Sequence, residues 1–103
     1  MTLVGRDVLL RIGRRNSPLL KWLTLWAATV ESSDWHSIDD VRKAYPSADG
    51  VKLKRDFVVT VFNVKGNSYR LLASIDYRAG IVQVLDVLTH AAYDKQMWKD
   101  KYA

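Results

Sequence analysis

The sequence predicts an α+β protein in which N-terminal helices pack on a three- to four-stranded antiparallel sheet, followed by a C-terminal helix. Apolar residues recur at helical spacing in the first half of the chain. Three β-rich runs, FVVTVFNV, SYRLLASIDY and IVQVLDVL, dominate the second half. The chain has 103 residues, of which 49% are hydrophobic, so we expect a single domain over residues 1–103 with one modest core.

The first half carries the predicted helices. Thr2–Val4 is typical of a short edge strand, and GRDVLLRIGRR of a short basic helix. Ser17 followed by Pro18 is a helix-start signal, because serine caps the helix and proline fits its first position. Another short helix is expected to open at Ser37 and to end at Pro46, before a polar connection, PSADGVKLKRD. The stripe expected to face the core is Leu19, Trp22, Leu23, Trp26 and Val30.

The separators KGN and RAG predict two hairpins, since each is three residues long and contains a glycine. With Val64 opposite Ser68 and Tyr77 opposite Ile81, the strands sort into two faces. The face expected to lie under the helices collects Phe57, Val59, Val61, Tyr69, Leu71, Ala73, Ile75, Ile81, Leu85 and Val87, with Gln83 among them. The opposite, mixed face collects Val58, Thr60, Phe62, Arg70, Leu72, Ser74, Val82, Val84, Asp86 and Leu88. Thr89 is expected to cap a final helix, HAAYDKQMWKDKYA.

The composition argues against several classes of protein. The chain has no cysteine, which excludes a disulfide framework and a thiolate zinc site, and its two histidines lack metal-ligand spacing. No apolar run approaches the ~20 residues of a membrane span. The N-terminal MTLVGRDVLLRIGRR has an acidic residue inside its apolar part and no small-residue cleavage site, unlike a signal peptide. We therefore expect a small cytoplasmic protein without a cofactor, a metal or a membrane partner.

The net charge of +5 is distributed in blocks. Residues 1–21 sum to +4, residues 22–51 to −3, residues 52–80 to +4 and residues 81–103 to zero. Two basic blocks around an acidic middle favour a polyanion or an acidic protein as partner, because such fields steer association and neutralise phosphates. Basic side chains that merely solvate the surface explain the same counts equally well.

Arg70 lies in a predicted strand, just past the first hairpin and on the mixed face. A guanidinium at such a position is costly unless it pairs, reaches solvent or binds an anion. Asp86, diagonal to it in the expected register, offers a structural ion pair. The alternative is that Arg70 holds a phosphate bidentately, with Lys65 in the adjacent loop. A basic run could lie near the same rim: Lys52, Lys54 and Arg55.

His90 follows the predicted cap Thr89 at the start of the last helix. Free N–H groups and the helix dipole attract anions there and disfavour an imidazolium, so His90 is a candidate neutral base. A polar residue without a function is an equally good interpretation. Tyr93 lies one turn on, with Met97 a further turn along, and packing onto the sheet is its simpler interpretation. His36, in the WHS turn, is expected to be a surface residue.

Two motifs occur together, FN-x-x-GN-x-x-R at residues 62–70 and TH-x-x-YD at residues 89–94. With PLLKW, DWHSIDDV and YPSADGV upstream, the chain resembles the HigB family of toxins in the RelE/ParE-like superfamily over nearly its whole length. Members of this family often carry glutamate where this chain has Ala92. A glutamate there would complete a capping box with Thr89.

The resemblance implies a RelE-like fold and a toxin that cleaves mRNA, typically on the ribosome, by a metal-independent attack of the RNA's own 2′-hydroxyl. It also implies a cognate HigA-type helix-turn-helix antitoxin. Arg70 is then the candidate for stabilising the phosphorane, His90 the candidate acid or base, and Tyr93 the candidate for orienting the nucleotide or transferring a proton. The candidate RNA-binding residues are Lys52, Lys54, Arg55, Lys65 and Asn67.

Two other functions fit the same scaffold. One is a non-enzymatic toxin that poisons a protein target such as DNA gyrase, as the ParE branch does. The other is a binding module whose basic surface meets RNA or an acidic antitoxin without turnover. RNA cleavage should collapse without Arg70 and His90, whereas protein poisoning should survive their loss.

Overall fold

A five-stranded mixed sheet forms the centre of the computed structural model, which describes residues 1–102. The sheet has the order β1-β5-β4-β3-β2. Each neighbouring pair is antiparallel except β1 with β5, which is parallel. The prediction of an α+β fold is confirmed. The strands are β1 (Thr2–Val4), β2 (Asp49–Lys52), β3 (Val58–Val64), β4 (Tyr69–Asp76) and β5 (Ile81–Thr89).

The two outer strands make the sheet larger than expected. The predicted edge strand Thr2–Val4 forms, and it pairs in parallel because the chain passes through the helices before it returns to β5. β2 lies in the stretch predicted to be a polar connection, so that prediction is wrong. Its only apolar side chain is Val51, opposite Val59. The strand is therefore held by its pairing with β3. Because it has no alternating apolar pattern, nothing in the sequence indicated a strand here.

The helices in the first half follow the predicted pattern. The start of α2 differs by one residue, because Asn16 rather than Ser17 is the cap: its side chain accepts a hydrogen bond from the Leu19 N–H at 3.1 Å. Of the predicted stripe, only Trp22 remains partly exposed. The α-helices are α1 (Arg6–Gly13), α2 (Ser17–Glu31), α3 (Ile38–Ala44), α4 (His90–Asp94) and α5 (Trp98–Lys101), and a 3₁₀ turn covers Lys54–Asp56.

The predicted C-terminal helix is broken into two. Thr89 caps α4 as expected, its hydroxyl accepting from the Ala92 N–H at 3.1 Å. The helix then ends because Gln96 adopts a φ of 60°, in the left-handed region. α5 begins at Trp98 and turns this side chain, rather than Met97, towards the sheet. The end of the predicted helix at residue 103 lies outside the described residues.

Both hairpin loops are one residue longer than predicted. Val64 pairs with Tyr69 and Asp76 pairs with Ile81, which leaves four residues in each loop. Because side chains alternate along a strand, this difference reverses the predicted faces of β3. Phe62 belongs to the core beneath the helices. The β3 residues Val59 and Val61 lie on the opposite face, and the predicted faces of β4 hold.

A β-bulge divides β5 into two halves. Leu72 pairs with Asp86, but Ala73 pairs with Val84, so Leu85 is the extra residue. Residues 86–89 keep the predicted register with β4, whereas residues 81–84 are shifted by one. Val82 and Val84 therefore face the helices, contrary to the prediction. The Leu85 carbonyl accepts a hydrogen bond from the Tyr102 hydroxyl at 3.2 Å.

Two apolar clusters lie on opposite sides of the sheet. The larger one packs α1, α2 and α3 against one face, and Trp26 and Phe62 meet edge to face within it, with ring centroids 5.3 Å apart. The smaller one centres on Trp98, which α5 lays against Val61 and Leu72. α5 thus covers only part of the second face, and Arg70 lies beyond it. No helix among residues 1–102 is long and apolar enough to cross a membrane.

Candidate functional site

Arg70 occupies the middle of a row across three strands. Its direct neighbours are Asn63 on β3 and Leu88 on β5, so all three side chains share the face opposite α1 and α2. Arg70 is half-buried, and the row lies at the end of the sheet beside the loop formed by residues 65–68. β5 runs back to this end of the sheet and leads directly into α4. His90 donates its backbone N–H to the Ser68 carbonyl at 3.1 Å.

The guanidinium of Arg70 is oriented by its own hairpin. Nη1 donates to the Tyr69 carbonyl at 3.1 Å and to the Asn67 carbonyl at 3.4 Å. Nη2 donates to Asn67 Oδ1 at 3.3 Å. Three of the five N–H donors are thus engaged, and among residues 1–102 two have no protein acceptor. These two donors match the bidentate geometry in which arginine holds a phosphate.

Arg70 has no carboxylate partner within the described chain. Asp86, the candidate for a structural ion pair, lies opposite Leu72 rather than Arg70. Its Oδ2 is 4.0 Å from Lys101 Nζ, and its Oδ1 accepts the N–H of Val87 at 2.8 Å. The positive charge of Arg70 is therefore held in place by neutral oxygens, which position the guanidinium without cancelling its charge.

Tyr93 forms an aromatic support beside Arg70. The guanidinium carbon lies 5.7 Å from the centroid of the Tyr93 ring, a cation–π distance. The ring also stacks on Trp98 at the start of α5, with centroids 5.3 Å apart and planes inclined by 17°. Trp98 also donates its indole N–H to the Tyr93 carbonyl at 3.2 Å. Since Trp98 is only 5% exposed, the pair is anchored in the smaller apolar cluster.

Burial raises the pKa of the Tyr93 hydroxyl, and the carboxylates of Asp49 and Asp94 act in the same direction. The positive charge of Arg70 opposes this shift but does not cancel it. Tyr93 is therefore a neutral phenol at physiological pH. It can donate a hydrogen bond or stack, but it is not a ready general base.

His90 lies at the start of α4, as predicted, with an exposed side chain. Its Nδ1 is 3.4 Å from Oδ2 of Asp94, one helical turn on, which leaves Nε2 available. The expected row of free helix N–H groups is mostly absent, because Ser68 accepts from His90 and Thr89 accepts from Ala92. The anion-binding capacity of this end therefore rests on side chains.

The remaining predicted RNA-binding residues fall into two places. Lys65 and Asn67 lie in the hairpin loop beside Arg70, and Asn67 contacts it directly. Lys52 pairs with Val58, five residues along β3 from Asn63, or about 17 Å at the usual strand rise. The basic run therefore lies at the far end of β3. It consists of Lys52, which forms an ion pair with Asp56 at 3.1 Å, together with Lys54 and Arg55.

Several residues of the site were not identified in the sequence. Asn63 was missed because the assumed register placed it on the wrong face. Trp98 was missed because an unbroken helix would align Met97, rather than Trp98, with Tyr93. Asp94 had a signal, since it lies one helical turn after His90 on the same side.

Within residues 1–102 there is no group of three or more histidine, aspartate or glutamate side chains arranged to hold a metal ion. The arrangement at Arg70 consists of a guanidinium with two open donors, an imidazole paired with a carboxylate, and a neutral phenol. Groups of these three kinds are chemically able to bind an oxyanion, to transfer a proton and to stack against a planar ring, respectively.

A comparison with protein families gives a match over residues 20–96 to the HigB_toxin family, described as the RelE-like toxic component of a toxin-antitoxin system. No curated protein matches the chain. The matched region is well over half of the chain and includes Arg70, His90 and Tyr93. The resemblance in the two motifs is thus confirmed, and its family implies an antitoxin as partner. The chain belongs to the HigB family of RelE-like toxins of toxin-antitoxin systems.

Proposed function

We propose that this toxin is an endoribonuclease that cleaves mRNA, on the translating ribosome, by attack of the RNA's own 2′-hydroxyl on the adjacent phosphorus. The observation that carries the proposal is the state of Arg70. Its guanidinium is half-buried, fixed by neutral acceptors and free of any carboxylate in the described residues. A fixed and uncompensated positive charge of this kind can stabilise the negative charge that develops on a phosphate in the transition state.

In the proposed mechanism the 2′-oxygen forms a bond to phosphorus while the bond from phosphorus to the 5′-oxygen breaks. The products are a 2′,3′-cyclic phosphate and a free 5′-hydroxyl. Arg70 neutralises the phosphorane through its two open N–H donors, and Lys65 in the adjacent loop adds positive charge. No bound metal ion takes part in any step of this mechanism.

Proton transfer in this mechanism falls to His90. One proton must leave the 2′-hydroxyl and one must reach the departing 5′-oxygen. The Asp94 carboxylate orients the imidazole through Nδ1, so Nε2 serves as the working nitrogen. Tyr93 keeps its own proton and serves as a platform for the nucleotide. The ribosome would position the substrate, which supplies the proximity that this sparse site lacks.

The partner of the toxin in this proposal is a HigA-type helix-turn-helix antitoxin. The family implies an antitoxin, and the net charge of +5 favours an acidic surface on it. The basic run at Lys52, Lys54 and Arg55 is assigned to RNA, as a contact upstream or downstream of the cleaved bond.

The test is mRNA integrity in a translating extract, mapped at nucleotide resolution, with wild type beside three variants. Arg70→Ala should lower cleavage by about 10²-fold or more, as loss of an oxyanion donor does. Arg70→Lys keeps the charge but loses the bidentate geometry, so it should retain only part of the activity. Arg78→Ala is the matched control, since it removes an exposed arginine from the loop at the other end of β4.

Cuts made by wild type and by Arg78→Ala, but not by Arg70→Ala, would support the proposal. If Arg70→Ala cut mRNA as fast as wild type, Arg70 would not be the residue that stabilises the phosphorane. Intact mRNA and continued translation with wild type would reject the nuclease and direct attention to DNA gyrase as a protein target.

A further inference from the structure

A small pocket lies directly beside the Arg70 row and has no role in the mechanism above. It is about 280 Å³ in volume and lies between β5 and the last two helices. We name it the Asp86 pocket. Its apolar wall is formed by Leu88, Ala92, Met97 and Trp98, and its polar groups are Asp86, Lys95 and Lys101.

Asp86 is the unusual member of this pocket. Its side chain is 22% exposed, so the carboxylate is largely withdrawn from water. Oδ1 accepts the N–H of Val87, but the nearest cation to Oδ2 is Lys101 Nζ, at 4.0 Å, which is beyond hydrogen-bond distance. A carboxylate has about four acceptor sites, and most of those on Asp86 are unused within the described protein. The carboxylate still touches solvent, so its unused acceptor sites are accessible to the N–H donors of a ligand.

The pocket adjoins the place where Arg70 would hold a phosphate, so its ligand can be part of the same nucleotide chain. Leu88, in the pocket wall, is the direct cross-strand neighbour of Arg70. Asp86 lies two residues further along β5, about 7 Å at the usual strand rise. The backbone of Asp86 is therefore only one strand spacing and two residues from that of Arg70. Because the guanidinium turns towards Asn67, a nucleotide held by Arg70 would extend past Leu88 to reach the pocket.

The walls of the pocket leave room for a ring of the size of a nucleobase. Ala92 has a side chain too short to fill the space, and the Met97 side chain is 73% exposed, so it can move over an occupant. RNA-binding proteins stack bases against apolar and aromatic side chains and read them by hydrogen bonds on their Watson–Crick edges, and the pocket offers both kinds of group.

We propose that the Asp86 pocket binds the nucleobase next to the cleaved phosphodiester and selects a base that carries N–H donors on its Watson–Crick edge. Guanine is preferred, because its N1–H and its 2-amino group offer two adjacent donors to one carboxylate, while Lys101 approaches its O6. Adenine and cytosine offer one amino group each, and uracil is the poorest fit. This inference rests on the proposed function and adds a specificity determinant to it.

The first test is the base composition at mapped cleavage sites. Wild type is expected to favour guanine over uracil beside the cut by about tenfold, the value of a good base contact. Asp86→Asn keeps the acceptor for the Val87 N–H but replaces the other oxygen with a donor, so this preference should fall to near unity while cutting continues. Asp100→Asn removes an exposed carboxylate from α5 and should leave the preference unchanged.

A second variant fills the pocket instead. Ala92→Glu occupies the third position of α4, where glutamate completes a capping box with Thr89, so the helix should still form. The longer side chain takes up the space that Ala92 leaves open in the pocket wall, and its bulk should exclude the base. We expect the guanine preference to be lost, as in Asp86→Asn. An unchanged preference in both variants would overturn the proposal even if Arg70 proved essential for cleavage.

Binding of nucleoside 5′-monophosphates separates this inference from the nuclease proposal. The Trp98 indole N–H and the Leu88 methyl groups report on the pocket in NMR spectra of the wild-type chain. We expect guanosine monophosphate to shift these signals at a concentration about tenfold lower than uridine monophosphate does, with the difference lost in Asp86→Asn. If the two nucleotides shifted these signals at the same concentration, the proposal that the Asp86 pocket selects guanine would be overturned, whether or not the protein cuts mRNA.

Discussion

At the scale of single residues, Tyr93 makes its contacts with Arg70 and Trp98 through its ring. The ring of Tyr93, on α4, lies against the guanidinium of Arg70 and stacks on Trp98 of α5. Both contacts are made by the aromatic system rather than by the hydroxyl. Since burial raises the pKa of this hydroxyl, the group holds its proton throughout the neutral range.

Substitution of Tyr93 separates these two parts. Tyr93→Phe keeps the stack and the cation–π contact, so mRNA cleavage should fall by less than about tenfold. Tyr93→Ala removes the platform and should lower cleavage much further. A loss of about 10²-fold in Tyr93→Phe would instead show that the hydroxyl transfers a proton. Circular dichroism of both variants serves as the check on folding.

The pH dependence follows from the raised pKa of Tyr93. The folded state favours the neutral phenol, so this stabilisation is present below the ordinary tyrosine pKa of about 10 and is lost as the pH rises through the raised value. The rate profile between about pH 5 and 9 should therefore have the same shape in wild type and Tyr93→Phe. A limb below about pH 9 that disappears in Tyr93→Phe would contradict the assignment.

At the scale of elements, the break between α4 and α5 positions the aromatic support. Gln96 adopts a φ of 60°, which costs a non-glycine residue about 1–2 kcal/mol. The break shortens the path of the chain and turns Trp98 inward, beneath Tyr93. A continuous helix would have pointed Trp98 away from the side that carries Tyr93.

Glycine substitutions test this break. Gln96→Gly should raise the free energy of unfolding by about 0.5 kcal/mol, because relief of the left-handed strain exceeds the entropy that glycine loses on folding. Lys95→Gly, at a helical φ of −67°, should lower it by about 0.5–1 kcal/mol. Urea unfolding of the two variants beside wild type measures both changes. A larger loss in Gln96→Gly than in Lys95→Gly would contradict the role of Gln96.

The elements also show how far sequence reasoning extends. The helices of the first half and the three long strands were predictable, because their apolar periods are clear. The faces of β3 were not, since KGN fits a three-residue loop as well as a four-residue one that includes Ser68. Arg70 was placed on the correct face because the register of β4 with residues 86–89 was correct. Two other residues of the site were missed. Placing Asn63 required the register of β3, and placing Trp98 beside Tyr93 required the break between α4 and α5.

At the scale of the whole molecule, the basic charge lies on both sides of the sheet. The N-terminal basic block is carried largely by α1 and the start of α2, which pack on the helix-covered face. The second block contributes Arg70 at one end of the other face and Lys54 near its far end. In the proposed function, the RNA strand follows this second face from Arg70 towards Lys54.

Salt dependence distinguishes the residues of that block. The logarithm of the RNA-binding constant should fall with the logarithm of the salt concentration, with a slope of about 0.7 for each single-stranded phosphate contact. Lys54→Ala should reduce the slope by about 0.7. Lys52→Ala should change it less, because Lys52 already pairs with Asp56. Identical slopes in wild type and Lys54→Ala would show that Lys54, at the far end of β3, does not contact an RNA phosphate.

The extra residue at Leu85 determines which side chains of β5 reach each face of the sheet. On the side of the bulge towards Ile81, Val82 and Val84 face the core, and on the other side Asp86 and Leu88 face the site. Straightening the strand with Leu85 kept in the ladder would turn Asp86 and Leu88 towards the buried face, whereas deleting Leu85 would leave both halves of β5 on their present faces. We therefore expect Leu85 to be the position at which the length of β5 can change among related toxins without turning the site residues over.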